Sequence, residues 1–116
     1  MKPISIRRVY EPRLHAGREV LVDRVWPRGK SKAELEGALW LKEVAPSTEL
    51  RKWFGHDPAR WAEFRRRYFA ELAANPAVER LRAMARDEPL ILLYSAHDEA
   101  HNQAAALRDY LLGERA

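Results

Sequence analysis

A small α/β domain, with a mainly parallel sheet of about four strands covered by helices, is the fold this sequence predicts, and three observations predict it. Four short apolar runs, at residues 4–9, 20–22, 39–41 and 90–94, have the length of strands rather than of helices. Stretches of helical spacing lie between the third and fourth runs and after the fourth, the alternation that builds parallel sheets. The second and fourth runs are unbroken in apolarity, as strands covered on both faces are. Two-layer and three-layer arrangements both satisfy these observations. With 116 residues, 47% of them hydrophobic, the whole of residues 1–116 is expected to form one domain.

The elements follow in order. Ile4-Ser5-Ile6-Arg7-Arg8-Val9 alternates in part and reads as a first strand, ending near Glu11-Pro12. A turn is expected around His15-Ala16-Gly17. Val20-Leu21-Val22 opens a second strand, which must stop by Trp26-Pro27 because proline has no amide hydrogen for the ladder. A short polar piece with some helical character spans residues 31–37, and Leu39-Trp40-Leu41 forms a third strand closed by Pro46. Ser47 is placed to cap a helix of about two turns that Gly55 stops. Asp57-Pro58 is a second start signal, and Trp61, Phe64, Tyr68 and Leu72 then fall on one helical face. Asn75-Pro76 restarts the pattern, with Val78, Leu81 and Met84 or Ala85 inward. Pro89 precedes the buried strand Leu90-Ile91-Leu92-Leu93-Tyr94. A last helix is expected from about Asp98 to Leu112, with Ala100, Ala104, Leu107 and Leu111 inward.

Composition narrows the function classes. Cysteine is absent, so disulfides and thiol chemistry are excluded, which suits a reducing cytoplasm. No leader-like apolar run opens the chain, and no segment approaches the roughly 20 apolar residues that span a bilayer, so the expected setting is cytoplasmic and away from membranes. The 21 Lys and Arg exceed the 17 Asp and Glu, for a net charge of +4. That balance favours anionic partners, although arginine on helices is also ordinary solvated surface. No phosphate-binding glycine loop and no nucleophile elbow is present, and no cofactor or oligomeric state is indicated.

Ligands of parallel sheets bind beyond the carboxyl ends of the strands, and that rule selects three segments as the walls of one basic, anion-accepting pocket. In the first, Asp23 is followed by Arg24, Trp26 and Arg28. Guanidinium groups fork onto phosphate or carboxylate, and an indole stacks on planar ligands. The plainer alternative is a surface loop, with Trp26 packed on a helix and Asp23 paired with an arginine. In the second, Ser47 and Thr48 open a helix whose free amides attract anions, with Lys42, Arg51 and His56 nearby. A plain cap and turn explain the same residues, and Trp53-Phe54 reads as core. The third holds Tyr94, His97, Asp98, His101 and Asn102. Histidines four apart on a helix can share a metal. The zinc-protease motif, however, needs Glu directly after the first His, and Asp98 stands there, so no metal is assigned. His101 and Asp23 are the candidate acid–base groups, and solvent-facing His101 is the plainer alternative.

Residues 20–29, residues 39–58 with the run Trp53-Phe54-Gly55-His56-Asp57-Pro58, and Leu92-Leu93-Tyr94-Ser95-Ala96 with His101-Asn102 resemble the bacterial YeaO-like proteins of the domain of unknown function 488 family. The likeness covers nearly the whole chain. It implies an α/β fold and a bacterial or archaeal cytoplasmic protein, and it supplies no activity. The broader family often carries Cys-Ala-Glu and His-Cys-His-Arg at the last strand and helix. Tyr94 and Ala96 stand here in place of that first Cys and the Glu. His101 keeps the first His, while Asn102 and Gln103 replace the Cys and His after it. Thiol, carboxylate or metal chemistry at those positions is therefore not carried over.

Two functions remain in view. One is the binding or processing of a phosphorylated or nucleotide-like anion by Arg24, Arg28, Lys42 and the Ser47 helix start, with His101 as acid or base. The other is a non-catalytic module that binds nucleic acid or a protein through an arginine-rich helix face at Arg65, Arg66 and Arg67.

Overall fold

The computed structural model describes residues 1–13 and 16–115; of the turn expected around His15-Ala16-Gly17, His15 lies outside them. Strands β1 (Ile4–Arg8), β2 (Arg18–Leu21), β3 (Leu39–Trp40) and β4 (Leu90–Tyr94) form one sheet in the order β1-β4-β2-β3, and every neighbouring pair is parallel. Helices α1 (Thr48–Phe54), α2 (Trp61–Ala73) and α3 (Ala77–Asp87) fill the crossover from β3 to β4, and α4 (Gln103–Leu111) follows β4. The predicted α/β class and four-stranded parallel sheet are both present.

Pleating decides what each strand residue touches. Leu90, Leu92 and Tyr94 face the helices together with Val20 and Val22, in a core that also holds Phe54, Phe64, Tyr68, Leu72, Leu81 and Leu107. The alternate residues Ile91 and Leu93, with Leu21 and Val9, face the opposite way and meet Leu35, Trp26, Ala38 and Trp40 from the β2–β3 connection. All the described α-helices pack on one face, and that connection covers the other. The layering is thus two-fold: helices, then a sheet backed by a loop carrying a 3-10 turn at Ala33–Leu35. Each large apolar side chain so buried contributes roughly 1.5–3 kcal/mol relative to exposure.

Local chemistry sets the element ends. Ser47 Oγ accepts from the Leu50 amide at 3.2 Å, and Gly55 closes α1 in the left-handed region, its amide bonding Arg51 O at 3.1 Å. Asp57 caps a 3-10 turn at Pro58–Arg60 that leads directly into α2. Gly17 is required by close approach, since a Cβ there would stand 2.6 Å from Pro89 O. Tyr68 is fully buried, and its hydroxyl donates to Val44 O at 2.6 Å, tying α2 to the chain leaving β3.

The last helix differs from expectation. It begins at Gln103 rather than Asp98, because Asn102 caps it by accepting from the Ala105 amide at 2.9 Å. Upstream, Asp98 Oδ1 takes the Ala100 and His101 amides, each at 2.9 Å, in a turn that competes with helix. Ala100 accordingly lies exposed before the helix instead of inside it.

Candidate functional site

Beyond the ends of β2 and β4 the chain diverges, and a cavity of about 110 Å³ opens between them. A water's share of the liquid is about 30 Å³, so the space suits a group the size of a phosphate or a small polar head. Asp23 and Arg24 line it from the end of β2, Ser95 and Ala96 from the end of β4, and Gln103 from the first turn of α4. Arg51, Phe54 and His56 line it from α1 and the turn beyond, and Phe64 adds apolar wall from α2.

Asp23 is the chemical centre of this cleft. It is only 7% exposed; Oδ1 accepts from Gln103 Nε2, while Oδ2 is buried without a hydrogen-bond partner. Burial pushes its pKa above the ordinary carboxylate value; Ser95, Gln103 and the Arg51 charge oppose that rise without cancelling it. Ser95 lies near enough to ease the charge, yet no well-formed bond from it reaches Oδ2.

The two cleft arginines differ. Arg24 spends Nε on Pro46 O at 3.0 Å and Nη2 on Ala45 O at 3.1 Å, which pins the segment before α1 and leaves its other donors uncommitted. Arg51 is exposed, and its side chain makes no hydrogen bond or ion pair among the described residues. His56 is exposed with φ +57°, a left-handed backbone directly after Gly55 at +55°.

The remaining expected residues lie elsewhere. Trp26 packs edge-on against Trp40 at 5.2 Å on the loop-covered face and donates to Lys30 O, so it does not reach the cleft. Arg28 is exposed, and its carbonyl accepts from Tyr10. Lys42 sits over the Trp40 ring at 5.2 Å. Ser47 is already occupied by an internal anion: Glu71 accepts from its amide at 2.8 Å and its hydroxyl at 2.6 Å. Thr48 is exposed. Tyr94 is buried beside Arg8 and Glu99, outside the cleft, and burial raises its pKa. Asn102 is a helix cap.

His101 and His97 do not share a helix. His97 Nδ1 meets Arg8 Nη2 at 3.0 Å, whereas His101 Nδ1 meets Asp98 Oδ2 at 2.8 Å and its ring packs edge-on against Trp61. The His101 bond, with two backbone amides, lowers the Asp98 pKa. On the arginine-rich face, Arg66 and Arg67 both bond Glu63, and Arg65 bonds Asp109. Those bonds hold Glu63 down at about 2.

Of the cleft residues, Gln103 and Ser95 were not among the expected site residues. Ser95 lay inside a segment that the strand-end rule selects. Gln103 stands where, by the resemblance, the broader family often carries a histidine, the one sequence signal for it.

A family model described as the inactive DUF488-N3 subclade matches residues 3–116. The chain belongs to this family. Among DUF488 relatives, the uncharacterized protein YeaO of Escherichia coli strain K12 is 46% identical over 110 residues, covering 93% of this chain and 96% of that one. The uncharacterized proteins Rv3073c of Mycobacterium tuberculosis strain H37Rv and Mb3100c of Mycobacterium bovis are each 38% identical over 111 residues, covering 95% of this chain and 94% of theirs. No solved structure matches the chain. No helix among the described residues is long and apolar enough to cross a membrane.

Proposed function

We propose that this DUF488 domain, residues 1–116, acts in the cytoplasm as a binding module for a small phosphorylated or nucleotide-like anion, held in the cleft beyond β2 and β4. The observation that carries the reading is the uncommitted Arg51 guanidinium at the cleft, beside the spare donors of Arg24. Arg65, Arg66 and Arg67 are by contrast engaged with carboxylates, which argues for the cleft over the helix face as the anion's address. A forked guanidinium fits a phosphate in two parallel bonds.

Binding without turnover suits the chemistry present. Tyr94 and Ala96 stand where the resemblance puts the broader family's cysteine and glutamate, and the matching family model is itself described as inactive. His101, the one retained family histidine, faces Asp98 and Trp61 rather than the cavity. Titration calorimetry with inorganic phosphate and nucleoside monophosphates tests the reading. Saturable binding that weakens at least fivefold in Arg51→Ala is the expected result. Heats that scale only with ionic strength, or unchanged affinity in Arg51→Ala, overturn it.

A further inference from the structure

From the cleft floor we infer that the buried end of the ligand carries an amino or amidine N–H group that pairs with Asp23, while its anionic end faces Arg51. This inference rests on the proposed cleft and adds the identity of the head group.

Three observations carry it. Asp23 is more than nine-tenths buried, lines the cavity, and leaves Oδ2 with no well-formed hydrogen bond among the described residues, the nearby Ser95 included. Buried carboxylate oxygens are ordinarily satisfied, so an orphan at a cavity marks a missing donor. Next, Gln103 Nε2 is committed to Oδ1, which fixes the carboxylate's orientation and leaves Oδ2 as the buried oxygen without a well-formed bond. Lastly, the cleft charge is divided: the carboxylate sits at the floor, and Arg51, exposed, stands at the rim with His56. A purely anionic ligand would set its charge against Asp23. A ligand with a donor head and an anionic tail meets both ends of the site, and Val25, Phe54, Phe64 and Ala96 supply apolar wall around the head.

Paired nucleotides that exchange an amino group for a carbonyl, with a proton gained on the neighbouring ring nitrogen, test this contact. Affinities of the full chain for adenosine and inosine monophosphate, and for cytidine and uridine monophosphate, would be measured by titration calorimetry, with ribose 5-phosphate as the tail alone. In at least one pair, the amino member is expected to bind about tenfold or more tightly than its oxo partner, because the exchange sets a carbonyl, an acceptor, against the carboxylate where the amino group donated. Asp23→Asn, which keeps the shape of the side chain, should equalise that pair while Arg51→Ala weakens both members. Equal affinity within both pairs in the unmodified protein overturns the head-group assignment, as does ribose 5-phosphate binding as well as the nucleotides. A preference that survives in Asp23→Asn overturns it too. If these probes bind equally and still depend on Arg51, the anion reading stands without the donor head. If no probe saturates, both readings fall.

Discussion

Two buried acids lie in and just beyond the short strand β2, and they are treated in opposite ways. Glu19, within the strand and 5% exposed, is clamped by both Arg7 and Arg13. Burial alone would raise its pKa, but the bonds and charges of Arg13 and Arg7 outweigh burial and hold it low. Arg13 continues from Glu19 to the carbonyls of Glu34 and Glu36, fastening the loop that backs the sheet. Asp23, just past the strand's other end, has one amide partner and an orphan oxygen, and its pKa is raised. The contrast separates architecture from site: a saturated buried charge holds elements together, whereas an unsaturated one at a cavity is poised for a partner from outside.

Removing Glu19 should destabilise the fold most. Glu19→Ala leaves two arginines without their shared counter-charge, one of them buried, and a loss of about 3–5 kcal/mol is expected in urea denaturation. An unchanged midpoint would show that the cluster is not structural. Next in size is Glu71→Gln. The carboxylate receives the Ser47 amide and hydroxyl, so losing its charge should cost about 1–2 kcal/mol.

Asp23→Asn carries the opposite sign. Replacing an under-satisfied buried carboxylate by its neutral isostere should raise stability by about 1 kcal/mol, measured by thermal melting. The pH dependence sharpens this. A carboxyl whose folded pKa lies above its unfolded value stabilises the fold while protonated, and that contribution is lost as pH rises through the folded pKa. The advantage of Asp23→Asn over the unmodified chain should therefore be greater at neutral pH than in mild acid. Glu19, shifted downward, supplies stability that is present above its unfolded pKa and lost as pH falls through the folded one. An Asp23→Asn advantage that shrank on going from acid to neutral pH would contradict the assignment.

The smallest effect concerns the rim. His56 holds a left-handed backbone that costs a non-glycine residue of order 1 kcal/mol. His56→Gly should recover somewhat less than that, since glycine also frees the unfolded chain. A destabilised variant would mean that the imidazole has packing worth more than the strain.

Much of the fold was legible because its signals are local. The unbroken run Leu90–Tyr94 reads as a covered strand, and Ser47, Asp57 and Gly55 mark element ends through bonds made within a few residues. The start of α4 differs from expectation for a local reason as well: Asp98 and Asn102 both bid for nearby amides, and the sequence does not show which of them begins the helix. The site was legible only as a neighbourhood. The strand-end rule points to Asp23, Arg24, Arg51 and His56, which do converge, and equally to Trp26, Arg28, Lys42 and Tyr94, which turn away from the cleft.

Alternating apolar runs, helical spacing and the Trp-Phe-Gly-His-Asp-Pro signature are written along the chain, so the α/β class, the strand positions and the family followed from sequence alone. Partner choice among charged side chains is decided through space. Gln103 reaches Asp23 across 80 positions, and Glu71 reaches Ser47 across 24. No periodicity encodes such pairings, because long polar side chains bond whatever the packed backbone brings within about 3 Å. Only the tertiary structure, therefore, determined that Glu19 is saturated, that the Ser47 helix start is already filled, and that Asp23 and Arg51 are left open at the cleft.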